Sequence, residues 1–280
     1  MAGKKEAGEA CFNGYYEEIY KDRWARLKEA LTQESAGIGV SYEGYPSYYL
    51  DAGSIAAACA LPVDSAESIL DLCAAPGGKT LILSRLVNKN AAITANELSA
   101  ERRTRLLRVL NDHVPHEKRQ KITVTPFDGS IMYKKNKDSF DAVLLDAPCS
   151  SERHVLMSPF HLLQWTKARI RNLSYTQWSL LSASFLMVKE NGYLLYSTCA
   201  LAPEENDGVI SKLCKKYDNV QIVDIDCDTI KLKVEEISGK EVFIHPEKTK
   251  YGLHILPDTS NGSGPLFFCL IKKSISKFKN

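Results

Sequence analysis

A chain of 280 residues with 44% hydrophobic content can bury one sizeable α/β core and still leave some tens of residues for an appendage. Its 36 basic and 34 acidic residues give a formal charge of +2, too balanced to demand nucleic acid yet able to hide local basic stripes. The eight cysteines show no CxxC pair, which speaks against a disulfide framework, and no window approaches the roughly 18 apolar residues of a membrane span, so a reduced, cytoplasmic protein with no membrane association is expected.

The start, Met1–Ala10, has neither an apolar core nor a cleavage site, and Glu6, Glu9, Glu17 and Glu18 argue against an organelle transit peptide. The segment Tyr15–Glu34 carries Ile19, Trp24, Leu27 and Leu31 near helical spacing and predicts an amphipathic helix. A loop rich in Gly and Tyr follows, SYEGYPSYY, and then DAGSIAAACAL (Asp51–Leu61) reads as a short helix of small residues. Beyond it the chain alternates strand and helix, the mark of a mostly parallel sheet covered on both faces. Strands are expected at Ser68–Leu72, Ala92–Asn96, Ile122–Thr125, Phe140–Asp146 and Gly192–Ser197, and FDAVLLD has the continuous apolar run of a central strand.

Between them, helices are expected from a Pro-Gly-Gly turn to about Leu86, after Ser99, over Leu173–Val188, and from Pro203 with Glu204 and Glu205 in its first turn. In the second of these Ser99 is the cap, Glu101 lies in the first turn, and Leu106, Leu107 and Leu110 supply the buried stripe. YKKNKDS is a polar loop. Past Val220, the β-rich runs VQIVDI, EVFIHP and PLFFCLIKK are expected to complete the sheet edge.

The first motif with chemistry is Asp71-Leu72-Cys73-Ala74-Ala75-Pro76-Gly77-Gly78-Lys79-Thr80, between the first main strand and its helix. Small residues there let backbone and ligand approach closely, and a helix N-terminus favours an anion beside it. The motif matches neither G-x-G-x-x-G nor the phosphate loop. Glu97, ending the second strand, could accept hydrogen bonds from two ribose hydroxyls, and Asp128, after the third, could receive an adenine amino group. Alone, each has a plainer reading as a tight helix start or a solvated carboxylate. Three such features at the carboxyl ends of successive strands fit the crevice where open α/β sheets bind ligands.

Asp146-Ala147-Pro148-Cys149 and Ser197-Thr198-Cys199 end two further strands, so both thiols should open onto that same crevice. A lone cysteine is usually a small hydrophobe; a matched pair invites thiolate chemistry. Carbon 5 of cytosine is a poor nucleophile until a thiolate adds to carbon 6, an acid such as Asp146 near ring nitrogen 3 would stabilise the charge that develops, and a second group must assist release. Zinc bound by Cys73, Cys149 and Cys199 is a weaker alternative, because no local pair has ligand spacing and the nearest His, His154, is five positions past Cys149.

At these residues the chain resembles the Sun-domain family of RNA 5-methylcytosine methyltransferases, through DAGSIAAACAL, LDLCAAPGGKT, NELSAERRTRLL, PFDGS, FDAVLLDAPCS and YSTCALAPEEN, in family order over residues 51 to 206. The resemblance implies an α/β, class I S-adenosylmethionine-dependent methyltransferase (Rossmann-like) fold: a seven-stranded, mostly parallel sheet, its last strand antiparallel, with helices on both faces. It divides the chain into an N-terminal helical extension, 1–50, and a catalytic domain, 51–280. It also implies S-adenosylmethionine held by Cys73, Ala74, Ala75, Pro76, Gly77, Gly78, Lys79, Glu97, Arg102, Asp128 and Asp146, with Cys199 attacking the base and Cys149 helping release product.

One departure stands out. Many members continue the Pro-Cys block with Ser-Gly, whereas this chain has Ser150-Ser151-Glu152-Arg153-His154, closer to a compact branch with no room for large RNA-binding extensions. The expected partner is RNA, ribosomal RNA ahead of transfer RNA, selected by the basic stripes (Arg102, Arg103, Arg105 and Arg108; Lys134, Lys135 and Lys137; Lys167, Arg169 and Arg171), by the Tyr42–Tyr49 loop, or by a partner protein. Each stripe also reads as a solvated face. A noncatalytic RNA-binding or ribosome assembly factor that keeps the fold is the rival from another class.

Overall fold

A computed structural model describes residues 2–33 and 37–275. Two helices open the chain, α1 (Ala2–Tyr20) and α2 (Trp24–Thr32), followed by the hairpin β1 (Ile38–Val40) and β2 (Tyr48–Leu50) and by α3 (Ala52–Ala60). The strand–helix alternation then runs β3 (Ser68–Asp71), α4 (Gly78–Leu86), β4 (Ala92–Asn96), α5 (Ala100–His113), α6 (His116–Arg119), β5 (Ile122–Thr125), β6 (Phe140–Asp146), α7 (Glu152–Met157), α8 (Pro159–Leu163), α9 (Lys167–Met187) and β7 (Val188–Thr198). The tail adds α10 (Asp207–Lys216), β8 (Val220–Val223), α11 (Cys227–Ser238), β9 (Pro246–Lys248), β10 (Leu253–Ile255) and β11 (Leu266–Lys273).

Five strands pair in parallel in the order β5-β4-β3-β6-β7, and β11 closes antiparallel on β7. The far edge of β11 is shared: Leu270–Lys273 pair with β8, while Leu266–Phe268 pair with β10. Seven of the nine strands described in this sheet therefore take the expected arrangement, and β9 and β10 extend it. Alternation along each strand sorts side chains to two faces. Ile69, Ala142, Leu144, Leu195 and Phe268 pack under α3, α4 and α11, whereas Leu70, Val143, Leu145, Tyr196 and Phe267 pack under α9 and α10.

Local capping explains where two helices start. Asp51 accepts the Gly53 N–H at 2.8 Å to open α3, and Ser99 accepts the Arg102 N–H at 3.3 Å to open α5. Leu106 and Leu110 are buried on α5, but Leu107, expected beside them, faces solvent. Several other expectations also shift. The first helix begins earlier and breaks at a 3-10 turn over Lys21–Arg23, with Lys21 in the left-handed region, and Glu34 lies outside the described residues. The stretch 38–50, counted with the helical extension, folds as the hairpin. Pro203–Asn206 is a turn, so α10 starts at Asp207. In the tail, 241–245 is irregular, and DTIKLKVEEIS is helix α11, burying Ile230 and Val234 four apart and ending on left-handed Gly239.

The break between α1 and α2 has a packing reason. It folds Trp24 back onto Tyr16, rings stacked at 5.1 Å, and both join Phe12, Trp165, Leu201 and Leu256 in a third apolar cluster that fixes the N-terminal helices to the domain. Phe12 is fully buried there and meets Tyr16, Trp24 and Trp165 at centroid distances of 4.8 to 5.8 Å. Phe12→Ala should lower the unfolding free energy by about 3–5 kcal/mol in urea titration; a loss below about 1 kcal/mol would contradict this anchoring role.

Candidate active site

The parallel register of β6 with β7 sets Asp146 opposite Ser197, and the ladder continues one step further through Ala147 N–H to Ser197 O at 2.9 Å. Each chain then turns away and presents a cysteine. The Cys149 and Cys199 sulfurs meet at 2.6 Å, both free thiols and both half-buried. The Ser151 hydroxyl lies 3.2 Å from Cys199 Sγ and 3.5 Å from Cys149 Sγ. Its backbone is left-handed, with φ 55°, a conformation that favours glycine and that puts a side chain here only against strain. The hydrogen bond to Cys199, reinforced by burial, holds the Cys149 thiol well above its ordinary value. Either sulfur can donate in this contact, and the direction of the Cys149 shift favours Cys149 as the one that holds the proton.

Two buried carboxylates shape the loops that carry these thiols. Glu152 accepts from Tyr16 Oη at 2.5 Å, from the Ser150 hydroxyl and from Leu201 N–H at 2.9 Å, tying α1, the Cys149 loop and the Cys199 loop together. Glu205 accepts from Ser150 N–H at 3.0 Å and from Gln177 Nε2 at 2.7 Å, and Gln177 also donates to Pro148 O at 2.9 Å. On the Cys199 side, Asn206 accepts from Thr198 Oγ1 at 2.6 Å and donates to Ala200 O at 2.9 Å. Burial, helped by the neighbouring charge of Glu152, pushes the Glu205 carboxyl up to about 7. Arg153, beside Glu152, donates to the carbonyls of Leu31, Gln33, Gly262 and Gly264. The residues that depart from the Ser-Gly pattern are thus the ones that hold the N-terminal helices and the 262–264 turn.

The glycine turn lies beside the thiols. Gly77 takes φ 116°, which favours glycine, and a Cβ on Gly78 would push aside the Leu50 side chain of the hairpin where β2 lies across the start of α4. Lys79 is ion-paired with Asp146 at 2.8 Å, and Asp146 also accepts from Ser197 Oγ at 2.8 Å. Burial pulls the Lys79 ammonium down, but Asp146, with Cys199 and Asp71 behind it, outweighs this and holds it above its ordinary value. Asp146 thus has a cationic partner, Lys79, that the sequence did not show.

Three adjoining cavities connect this region. One of about 670 Å³ is lined by Cys73, Glu97, Arg102, Asp128 and Pro148; the next, about 350 Å³, by Asp71, Cys73, Ala74, Ala75, Pro76, Gly78, Lys79, Arg102, Asp146, Cys149 and Cys199. The outermost, about 590 Å³, runs from Cys199 and Ser151 past Tyr49, His154 and Met157 to the surface. Two buried oxygens on these walls ask for a polar ligand: Asp71 Oδ1 has no hydrogen bond among the described residues, and Glu97 Oε2 has only the Arg102 guanidinium 3.2 Å away. Burial raises the Asp71 carboxyl to about 7, with Thr80 pulling against it. Arg102 also donates to Ala75 O at 2.7 Å, and Asp128 uses Oδ1 to hold Ser130. A ligand with a cationic amino group, vicinal hydroxyls and a flat amino heterocycle fits this donor set.

Every site residue expected from the sequence except Gly77 lines one of these cavities, and Gly77 forms the turn beneath them. Among the described residues no group of three or more His, Cys, Asp or Glu is placed to hold a metal, and no helix is long and apolar enough to cross a membrane. In the Tyr-rich segment, Tyr42 bonds Ser84 and Tyr48 packs on His113, while Tyr49 stays 70% exposed at the outer cavity. Ser151, Glu152, Arg153, Gln177 and Glu205 were not visible as site residues in the sequence, since their partners are remote in the chain.

Residues 58–271 match the family described as 16S rRNA methyltransferase RsmB/F. The chain belongs to this family. The 5-cytosine rRNA methyltransferase NSUN4 of Bos taurus is 35% identical over 237 residues, covering 81% of the chain and 59% of that relative. A mitochondrial tRNA (cytosine(34)-C(5))-methyltransferase of Danio rerio is 31% identical over 228 residues, covering 81% and 60%. The chain thus spans less than two thirds of the length of these relatives. The crystal structure of PH0851 matches with a TM-score of 0.78 at 19% identity, covering 96% of this chain and 67% of that one, a likeness of fold.

For an RsmB/F-family site the Glu205 value has a testable consequence. A carboxyl raised from 4.5 to about 7 on folding makes the native state bind the extra proton, so its contribution to stability falls as pH rises through that window. His254, which burial pulls down to about 4, acts in the opposite sense, and Asp71 in the same one, but both are common to wild type and variant. The stability of Glu205→Gln minus that of wild type should therefore rise between about pH 4.5 and 7 and level off above. Urea titrations showing a pH-independent difference would contradict the assignment.

Proposed function

We propose that this chain is an S-adenosylmethionine-dependent RNA (cytosine-5) methyltransferase acting on ribosomal RNA. The observation that carries the reading is the pair of thiols in contact at the carboxyl edge of the sheet, lining the same cavity as Asp71, whose buried Oδ1 has no hydrogen bond among the described residues. Membership of the RsmB/F family and the printed activity of NSUN4 support the ribosomal substrate. The relative that acts on transfer RNA supports transfer RNA as the second reading.

The residues at the glycine turn, Cys73 to Lys79, would hold the cofactor with Arg102, with Glu97 at the ribose hydroxyls and Asp128 at the adenine. When bound, S-adenosylmethionine supplies an electrophilic methyl group. The chain's own part begins at Cys199, whose sulfur adds to carbon 6 of an unpaired or flipped-out cytosine and moves electron density onto carbon 5 and the N3 edge. The Lys79–Asp146 pair answers that charge: the ammonium donates toward N3, where negative charge gathers, and the carboxylate accepts from the exocyclic 4-amino group. Once carbon 5 carries its methyl group, water in the outer cavity takes the carbon 5 proton, the C–H electron pair closes the carbon 5–carbon 6 double bond, and the sulfur–carbon 6 electron pair returns to Cys199. Cys149, which keeps its proton, stabilises the departing thiolate through the 2.6 Å contact. The Ser151 hydroxyl, 3.2 Å from the same sulfur, can donate to the thiolate as it forms.

Incubation with methyl-labelled S-adenosylmethionine and with separated ribosomal and transfer RNA, followed by nucleoside mass spectrometry, should place label in 5-methylcytosine of the ribosomal fraction. Cys199→Ala should lose at least about 10³-fold of that activity. Label in transfer RNA alone would select the second reading. Label in neither fraction, with cofactor bound, would favour a noncatalytic RNA-binding or assembly factor.

A further inference from the structure

A groove outside these cavities lies between the amino-terminal half of α9 and the turn leading into α10. It encloses about 490 Å³ and is lined by Tyr15, Lys167, Arg171, Tyr175, Glu204 and Lys212, with backbone and smaller side chains between them. α9 follows the Cys149 loop and runs back to the start of β7, so Lys167 and Arg171 sit at the helix end nearer the carboxyl edge. The opposite wall starts just past Cys199. The same helix touches the Cys149 loop directly, Arg169 donating to Ser150 O at 3.3 Å and Gln177 to Pro148 O at 2.9 Å.

Cations alternate with aromatic rings along this groove. Lys167 lies 5.1 Å over Tyr15 and Lys212 lies 5.3 Å over Tyr175, and further along the α9–α10 seam Lys216 lies 5.3 Å over Trp178. Arg171, Tyr175 and Trp178 share one face of α9 at helical spacing. Tyr175 is 60% exposed, which leaves ring surface in water. No carboxylate pairs with Arg171 or Lys212 among the described residues, and Lys167 has only Glu18 at 4.0 Å. The one carboxylate in the lining, Glu204, accepts from Tyr15 Oη at 2.6 Å. Three cations against the single carboxylate of Glu204 leave the groove net positive, which attracts a polyanion, and the exposed Tyr175 ring selects one whose bases are unpaired.

We propose that this groove binds single-stranded RNA flanking the target cytosine, with Lys167, Arg171 and Lys212 on phosphates and Tyr175 stacked on a base. The proposal rests on the methyltransferase reading for the identity of the target, but RNA binding can be measured without turnover. Fluorescence anisotropy of the full chain with a labelled single strand of about a dozen nucleotides reads the site directly. Arg171→Ala/Lys212→Ala should weaken binding about tenfold and make the log K against log salt slope shallower by about 1.4, from about 0.7 per phosphate contact. Tyr175→Ala should weaken binding about tenfold with the slope unchanged, and Tyr175→Phe should restore it. Lys89→Ala/Lys121→Ala removes the same charge at the opposite, amino edge and should leave affinity within about twofold.

Urea midpoints near that of wild type would show that the variants are folded. If wild type binds and the groove variants bind equally well, or the control weakens binding as much, the groove proposal is overturned; an acidic protein partner in the groove would give the first of these results. If wild type binds no RNA, the methyltransferase reading falls with it.

Discussion

Two parallel strands held in register do the decisive positioning. With Asp146 opposite Ser197, the chain after β6 and the chain after β7 leave the sheet side by side, and neither thiol can move along its strand without breaking the ladder that places it. The same register brings Asp146 to the Ser197 hydroxyl and to Lys79, so a charge pair from the glycine turn reaches the thiols without any loop having to close. Position in the sheet, more than any single loop conformation, makes a scaffold into a site.

What the sheet edge leaves free is fixed by buried polar groups. Glu152 and Glu205 are both fully buried: Glu152 accepts from the Ser150 hydroxyl and Leu201 N–H, and Oε2 of Glu205 accepts from Ser150 N–H and Gln177, while its Oε1 has no hydrogen bond among the described residues. Burial, with the neighbouring Glu152 charge adding to it, pushes the Glu205 carboxyl up, and the Tyr16 hydroxyl that satisfies Glu152 arrives from α1. The N-terminal helices are therefore part of the wall behind the thiols. Their aromatic cluster and the Arg153 bonds to Leu31, Gln33, Gly262 and Gly264 carry that contact from both sides.

Ala92–Asn96, Ile122–Thr125 and Phe140–Asp146 match the structure end to end: the last was legible as an apolar run in the middle of the sheet, the other two, short and at or beside its edge, from the residues that bound them. The glycine turn and both cysteines were legible for the same reason, since a strand end fixes where its next residues point. The tail was harder. Ile230, Leu232 and Val234 alternate with polar residues, a two-residue period that hides the four-residue spacing of Ile230 and Val234 in α11. Glu152 and Glu205 gave no sign of their role either. Tyr16 is 136 positions from Glu152, and pairing over such a distance exists only once the fold brings α1 beneath the Cys149 loop. Ser151 gave no sign either, since its left-handed backbone and its place beside both sulfurs needed the loop geometry.

The central claim is that the paired thiols divide the work, Cys199 forming the bond to the base and Cys149 aiding its release. Covalent trapping tests that division most directly: each single variant is incubated with RNA and S-adenosylmethionine and resolved by denaturing electrophoresis. Cys149→Ala should accumulate a protein–RNA adduct that survives denaturation, and Cys199→Ala should form none. An adduct with Cys199→Ala and none with Cys149→Ala would contradict the account and reverse the two roles.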